Sequence, residues 1–125
     1  GWRNHYRGQG GRPDWEVISS HKGASQYGAR YVKGLDGKNS GERAIQYAAQ
    51  QGGDPIVVLG FDCGIIDGKA HHFGDHPAPL QNAKNAQNWP THARALEKKI
   101  NARVINCSPH SDVFERMTLE QYLGY

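Results

Sequence analysis

Three imidazoles and a carboxylate stand within six residues of this chain: His71, His72, Asp75 and His76. Imidazole is a common metal ligand and titrates near neutral pH. Two chemistries follow. One is a zinc or manganese site that activates water, with His71, His72, Asp75 and His76 as candidate ligands. The other is a general base or acid at His76, oriented by Asp75 or Asp62. A polar surface loop with no role would carry the same residues.

Other candidates lie on either side. At Lys38-Asn39-Ser40-Gly41 a small-residue turn opens a helix. A glycine there lets a ligand approach the backbone, and the free amides and helix dipole favour an anion such as phosphate, to which Lys38 or Arg43 could add charge. A helix with a capped start explains the turn equally. Asp62 directly follows an apolar run, where an acid could bind a ribose hydroxyl, a sugar hydroxyl or a metal, or could cap its own loop. Ser108-Pro109-His110-Ser111 follows the next apolar run, and its hydroxyls could bond a sugar or phosphate; a simple turn would look the same. Cys63 and Cys107 each follow an expected strand and could lie close together, but they lack a CxxC flank or a clear base and read as inert.

Two named metal patterns fit poorly. The metallo-β-lactamase pattern His-x-His-x-Asp-His needs a histidine where Phe73 stands. The HNH nuclease pattern matches Asp75-His76 and Pro79-Leu80, with Asn85 or Asn88 and His92 downstream, but the usual zinc-binding cysteine pairs are missing.

These residues need elements to position them. Trp15–Ile18 and Ala29–Val32 are candidate short strands. Ser40 is placed to cap a helix from near Gly41, with Ala44, Ile45, Ala48 and Ala49 at helical spacing. Gly52-Gly53 ends it and Pro55 blocks extension. Ile56–Leu59 is a β-branched run that fits a buried parallel strand. Asp62 to Asn88 has no period and many loop formers, a length that often marks function. Pro90 suits a helix start, with Asn88 as its cap and Ala93, Leu96, Ile100 and Trp89 as its apolar stripe. Ala102–Cys107 is the next strand, and Thr118–Leu123 a short closing helix. Alternating strands and helices predict an α/β fold. The expectation is a small Rossmann-like layer: a mostly parallel sheet of three to five strands with flanking helices.

Length and charge bound the rest. The 125 residues suit one modest core, although 16 glycines and 37% hydrophobic residues point to many loops. No apolar run approaches the roughly 20 residues needed to cross a bilayer. The opening shows no signal-peptide pattern, and two cysteines make no disulfide framework, so a cytoplasmic setting is expected. There is no initiator methionine, which suggests trimming, a tag scar or a fragment. Residues 1–37 form a basic, aromatic-rich front segment and 38–125 an α/β nucleotide-binding-like domain. Through Lys38, the front carries seven Lys/Arg against three acids, while the remainder carries eight against nine. Basic side chains interleaved with Trp2, Tyr6, Trp15, Tyr27 and Tyr31 could bind nucleic acid, or the front could pack on a second copy to make a homo-oligomer.

As a set, Asn-Ser-Gly, an Ala-rich helix, a strand ending Gly-Phe-Asp, a loop with Gly-Asp-His-Pro, and a strand ending Asn-Cys-Ser-Pro resemble phage- and prophage-type proteins related to sialyltransferase-like glycosyltransferases. They also resemble the domain of unknown function allied to pterin diphosphokinases. The resemblance runs from about Lys38 to Leu123, roughly two thirds of the chain. It implies that Asn39, Ser40, Gly41, Gly60, Asp62, Ser108 and Ser111 hold a nucleotide or nucleotide-sugar donor. His76, aided by Asp75, would take the proton of an acceptor hydroxyl. The chain departs from the family where Gln87 and Asn88 replace the expected histidine. No tyrosine lies between Asp62 and Asn106, and no opening βα unit with a Gly-rich loop is present. The departures leave three expectations in order. They are a glycosyltransferase-like protein, a non-catalytic phage-type nucleotide-binding or interaction protein, and a metal-dependent hydrolase or HNH-like nuclease that uses a divalent metal at the His-rich loop.

Overall fold

Past the Asn39 turn, apolar residues recur at helical spacing and then give way to β-branched ones. A computed structural model describes residues 16–64, 66–69 and 86–125 and turns this pattern into helix, turn and strand. The chain divides into two compact units, Gly1–Asp36 and Gly37–Tyr125. The His-rich segment with His71, His72, Asp75 and His76 lies outside the described residues, as do Trp2, Tyr6 and Trp15.

In the first unit, β1 (Ile18–Ser19) and β2 (Arg30–Tyr31) pair in parallel. A 3-10 turn over Lys22–Tyr27 connects them. The Arg30 guanidinium meets the Glu16 carboxylate at 2.7 Å, and the Lys22 ammonium lies 5.7 Å from the centre of the Tyr31 ring. The first front strand shares only Ile18 with the expected Trp15–Ile18, the second lies within the expected Ala29–Val32, and the two pair as a two-stranded sheet distinct from the main one.

The second unit is a parallel three-stranded sheet with helices. Helix α1 spans Ser40–Gln50. Its cap is Asn39 rather than Ser40: the Asn39 side chain accepts from the Glu42 amide, and Ser40 is the first helical residue. Ile45 is buried and Ala48 and Ala49 pack on the core, whereas Ala44 of the expected stripe is exposed. The helix ends in a Schellman motif. The Gly53 amide reaches the Ala48 carbonyl at 2.9 Å and the Gly52 amide the Ala49 carbonyl at 3.0 Å, with Gly52 at φ +83°.

Strand β3 (Ile56–Val58) follows. Helix α2 (Trp89–Lys99) carries Pro90 in its first turn and buries Ala93 and Leu96. Asn88 makes no side-chain cap bond, contrary to expectation. Strand β4 (Val104–Asn106) is wholly buried and central, pairing in parallel with β3 and with β5 (Glu115–Arg116). Helix α3 (Leu119–Leu123) starts in a capping box built by Thr118 and Gln121. The core joins Ile45, Ile56, Cys63, Ala93, Leu96, Val104, Val113 and Phe114. No helix among the described residues is long and apolar enough to cross a membrane.

Strand β5 has no counterpart in the hydropathy pattern. Parallel neighbours ordinarily need about a dozen linking residues. Here only 107–114 join β4 to β5. Both strands are short, so the chain has little length to retrace. Phe114 closes the reversal at φ +65°.

Candidate functional site

The carboxyl ends of β3 and β4 are tied together by one side chain. Asn106 is fully buried at the end of β4. Its amide nitrogen donates to the Phe61 carbonyl and to the Val113 carbonyl, each at 3.1 Å. Its oxygen accepts from the Ser108 amide at 3.0 Å. A buried amide whose donors and acceptor are matched in this way locks the segments around it. Three backbone segments therefore hold a common register: the turn after β3, the turn after β4, and the approach to β5.

Asp62 and Ser108 meet because of this lock. Gly60, at φ +67°, turns the chain off β3. The next ring, Phe61, lies 6.1 Å from Phe114. Asp62 then receives a hydrogen bond from the Ser108 hydroxyl. Ser108 is nearly buried and its oxygen also accepts from the His110 amide at 3.2 Å. Asp62 is half-buried, and its second oxygen has no protein partner among the described residues. Ser111 is turned inward, its hydroxyl accepting from the Val113 amide at 3.2 Å.

The start of α1 comes to the same region through Phe61. A Cβ added at Gly41 would stand 2.6 Å from the Phe61 ring. The glycine thus serves ring packing as well as any ligand. Next to it, Glu42 is almost completely buried. Its carboxylate accepts from the Asn39 side-chain amide at 2.7 Å. A carboxylate at a helix N-terminus is stabilised by the free amides and the dipole. The negative charge that this end attracts is therefore supplied by the protein itself. Asn39 is a cap, and Ser40 is exposed. Lys38 lends its backbone amide to Glu42, and Arg43 donates through Nε to the Gly37 carbonyl at 2.8 Å.

The two cysteines are free and differ in setting. Burial pushes the Cys63 thiol up to about 11, with the Glu42 charge adding to the rise and Arg94 opposing it. It remains protonated at neutral pH and is no nucleophile. Cys107 is half-buried and lines a cavity of about 300 Å³ beside β5 with Ser108, Pro109, Arg116, Met117, Thr118 and Gln121. Among the described residues, no group of three or more His, Cys, Asp or Glu side chains could hold a metal ion.

Of the sequence candidates, Gly41, Asp62 and Ser108 are linked through Phe61 and the Asp62–Ser108 bond. Gly60 supplies the turn. Asp75, His76, His71 and His72 lie outside the described residues. Of the front segment, Arg30 is ion-paired, while Tyr27 and Tyr31 are exposed. The sequence reading missed Asn106, Glu42 and Arg116. A polar residue ending an otherwise apolar buried strand was the available sign for Asn106; Glu42 three residues after Asn39 was the sign for its helix-start role. Nothing local marks Arg116. Comparison with protein-family profiles, curated proteins and solved structures gives no match to the chain.

Proposed function

We propose that residues 37–125 form a Rossmann-like nucleotide or nucleotide-sugar binding unit of glycosyltransferase-like type. The observation that carries this reading is the Asp62–Ser108 pair at the carboxyl ends of adjacent parallel strands. Ligands of open α/β sheets settle at that edge. Ser108 engages one carboxylate oxygen of Asp62 and holds the group in place. The other oxygen can accept a ribose or sugar hydroxyl. On this reading His76, with Asp75, removes the proton of the acceptor hydroxyl as its oxygen bonds the anomeric carbon of the donor sugar and the sugar–phosphate bond breaks, the nucleotide leaving with the electron pair.

Calorimetry with a panel of nucleosides, nucleotides and sugar nucleotides tests the proposal. At least one sugar nucleotide should bind, and Asp62→Asn should weaken it by about tenfold to a hundredfold, the scale of one hydrogen bond to a charged group. Absence of binding across the panel would remove the proposal. Binding without turnover in either wild type or His76→Ala would reduce it to a non-catalytic binding protein. Stoichiometric zinc or manganese in the purified protein would replace it with a metal-dependent hydrolase or HNH-like nuclease built on His71, His72, Asp75 and His76.

A further inference from the structure

We infer that the cavity beside β5 is an oxyanion subsite that takes a phosphoryl group through Arg116. The inference rests on the nucleotide reading above for the identity of the ligand, but its chemistry stands on the cavity itself. About 300 Å³ is at the lower end of the ~300–1,000 Å³ range of ligand pockets. Such a volume suits one end of a ligand better than the whole of it.

The lining offers donors and few acceptors. Arg116 has five N–H groups, of which one meets the Pro109 carbonyl at 3.2 Å, and it has no carboxylate partner among the described residues. Each of the two polar neighbours has one acceptor lone pair already engaged. Thr118 Oγ1 accepts from the Gln121 amide at 3.0 Å, and Gln121 Oε1 accepts from the Thr118 amide at 2.9 Å. They keep a hydroxyl hydrogen and an amide NH₂ free to donate. The Ser108 oxygen is already placed between Asp62 and the His110 amide. Among the described residues, no acid lines the cavity. A guanidinium with two flanking donors and apolar walls from Pro109 and Met117 matches a compact group with several acceptor oxygens.

The position is also apt. Ser108 borders the cavity and bonds to Asp62, so the subsite lies across Ser108 from the carboxylate. A nucleotide lying along this edge would place a sugar hydroxyl at Asp62 and its phosphate at Arg116. This assigns the anion to β5, which offers the Arg116 guanidinium, rather than to the start of α1, where the Glu42 carboxylate already takes the Lys38 amide and the Asn39 side-chain amide.

Cys107 provides the readout. It lines the cavity, whereas the Cys63 thiol is buried and protonated, so neutral alkylation by iodoacetamide followed at the Cys107 peptide reports occupancy. Inorganic phosphate, a nucleoside and its monophosphate are added to the full chain in turn. At a ligand concentration about ten times Kd, phosphate or the monophosphate should slow Cys107 alkylation about elevenfold, and the nucleoside without phosphate far less. Arg116→Ala should require about tenfold to a hundredfold more phosphate for the same protection, with partial rescue by Arg116→Lys. Arg94→Ala, which removes an exposed cation paired elsewhere with Asp112, should leave protection unchanged. Arg116 is exposed, so its variants should fold. Protection by phosphate that depends on Arg116 supports the subsite even if no nucleotide binds better than phosphate, an outcome that defeats only the nucleotide reading. Nucleotide binding seen by calorimetry, with no phosphate protection or with protection indifferent to Arg116, overturns the subsite and leaves the Asp62 reading intact. Absence of any protection overturns it as well.

Discussion

Replacing Asn106 with alanine should destabilise the second unit more than Asn39→Ala does. The variant deletes three hydrogen bonds, to the Phe61 carbonyl, the Val113 carbonyl and the Ser108 amide. Water cannot easily replace two of these, since Ser108 and Val113 are 3% and 1% exposed. Each buried group left unpaired costs about 1–3 kcal/mol. Phe61 is half-buried, and water can recover part of the third bond, so it adds about 0.5–1 kcal/mol. The expected loss is about 2.5–7 kcal/mol, a large share of the ~5–15 kcal/mol that holds a domain folded. Urea titration followed by circular dichroism measures it as a shift in midpoint at constant slope. A loss below about 1 kcal/mol would refute the idea that Asn106 organises this edge. Asn106→Asp gives a control of nearly equal shape. Its carboxylate would face two carbonyl oxygens, which raises its folded pKa above the ordinary Asp value. A raised carboxyl pKa stabilises the fold at low pH and the benefit is lost as pH rises. The gap between Asn106→Asp and wild type should therefore narrow on acidification.

Three further outcomes are expected. Gly41→Ala should cost about 1–3 kcal/mol because the new methyl meets the Phe61 ring at 2.6 Å, and Phe61→Leu in the same chain should recover part of that loss in a double-mutant cycle. Asn39→Ala should cost about 1–3 kcal/mol in thermal or urea unfolding, since it removes both the cap bond to Glu42 and a partner of the buried Glu42 carboxylate. Cys63 makes stability depend on alkaline pH: its thiol moves from an ordinary 9.0 to about 11 on folding, so the stabilisation is present below pH 9 and is lost as pH rises towards 11. Cys63→Ala should flatten that part of a stability–pH curve, and an unchanged slope would show that the thiol is not shielded.

Elements built on local rules were readable in the chain. Most of the α1 stripe (Ile45, Ala48 and Ala49, though not the exposed Ala44), the Gly52-Gly53 stop, the Ile56–Val58 strand and the Pro90 helix start each follow from neighbours a few residues apart. The α1 cap was misplaced by one residue because Asn39 and Ser40 are both good caps; Glu42 decides between them by pairing with Asn39. Asp62 and Ser108 were each visible as polar residues after apolar runs. Their bond was not, because it joins positions 46 residues apart.

Composition and periodicity alone pointed to a small α/β chain with parallel strands, and to polar side chains following Leu59 and Asn106. Amphipathic spacing, capping and helical hydrogen bonding act over a few residues, and their pattern is written along the sequence. Tertiary structure decided the rest. It placed Glu42 in the core, paired Asp62 with Ser108 through Asn106, and folded Glu115–Arg116 back as a third strand so that Arg116 borders a cavity. Those placements depend on which distant backbone groups must share one buried amide, a condition that only the folded chain can meet.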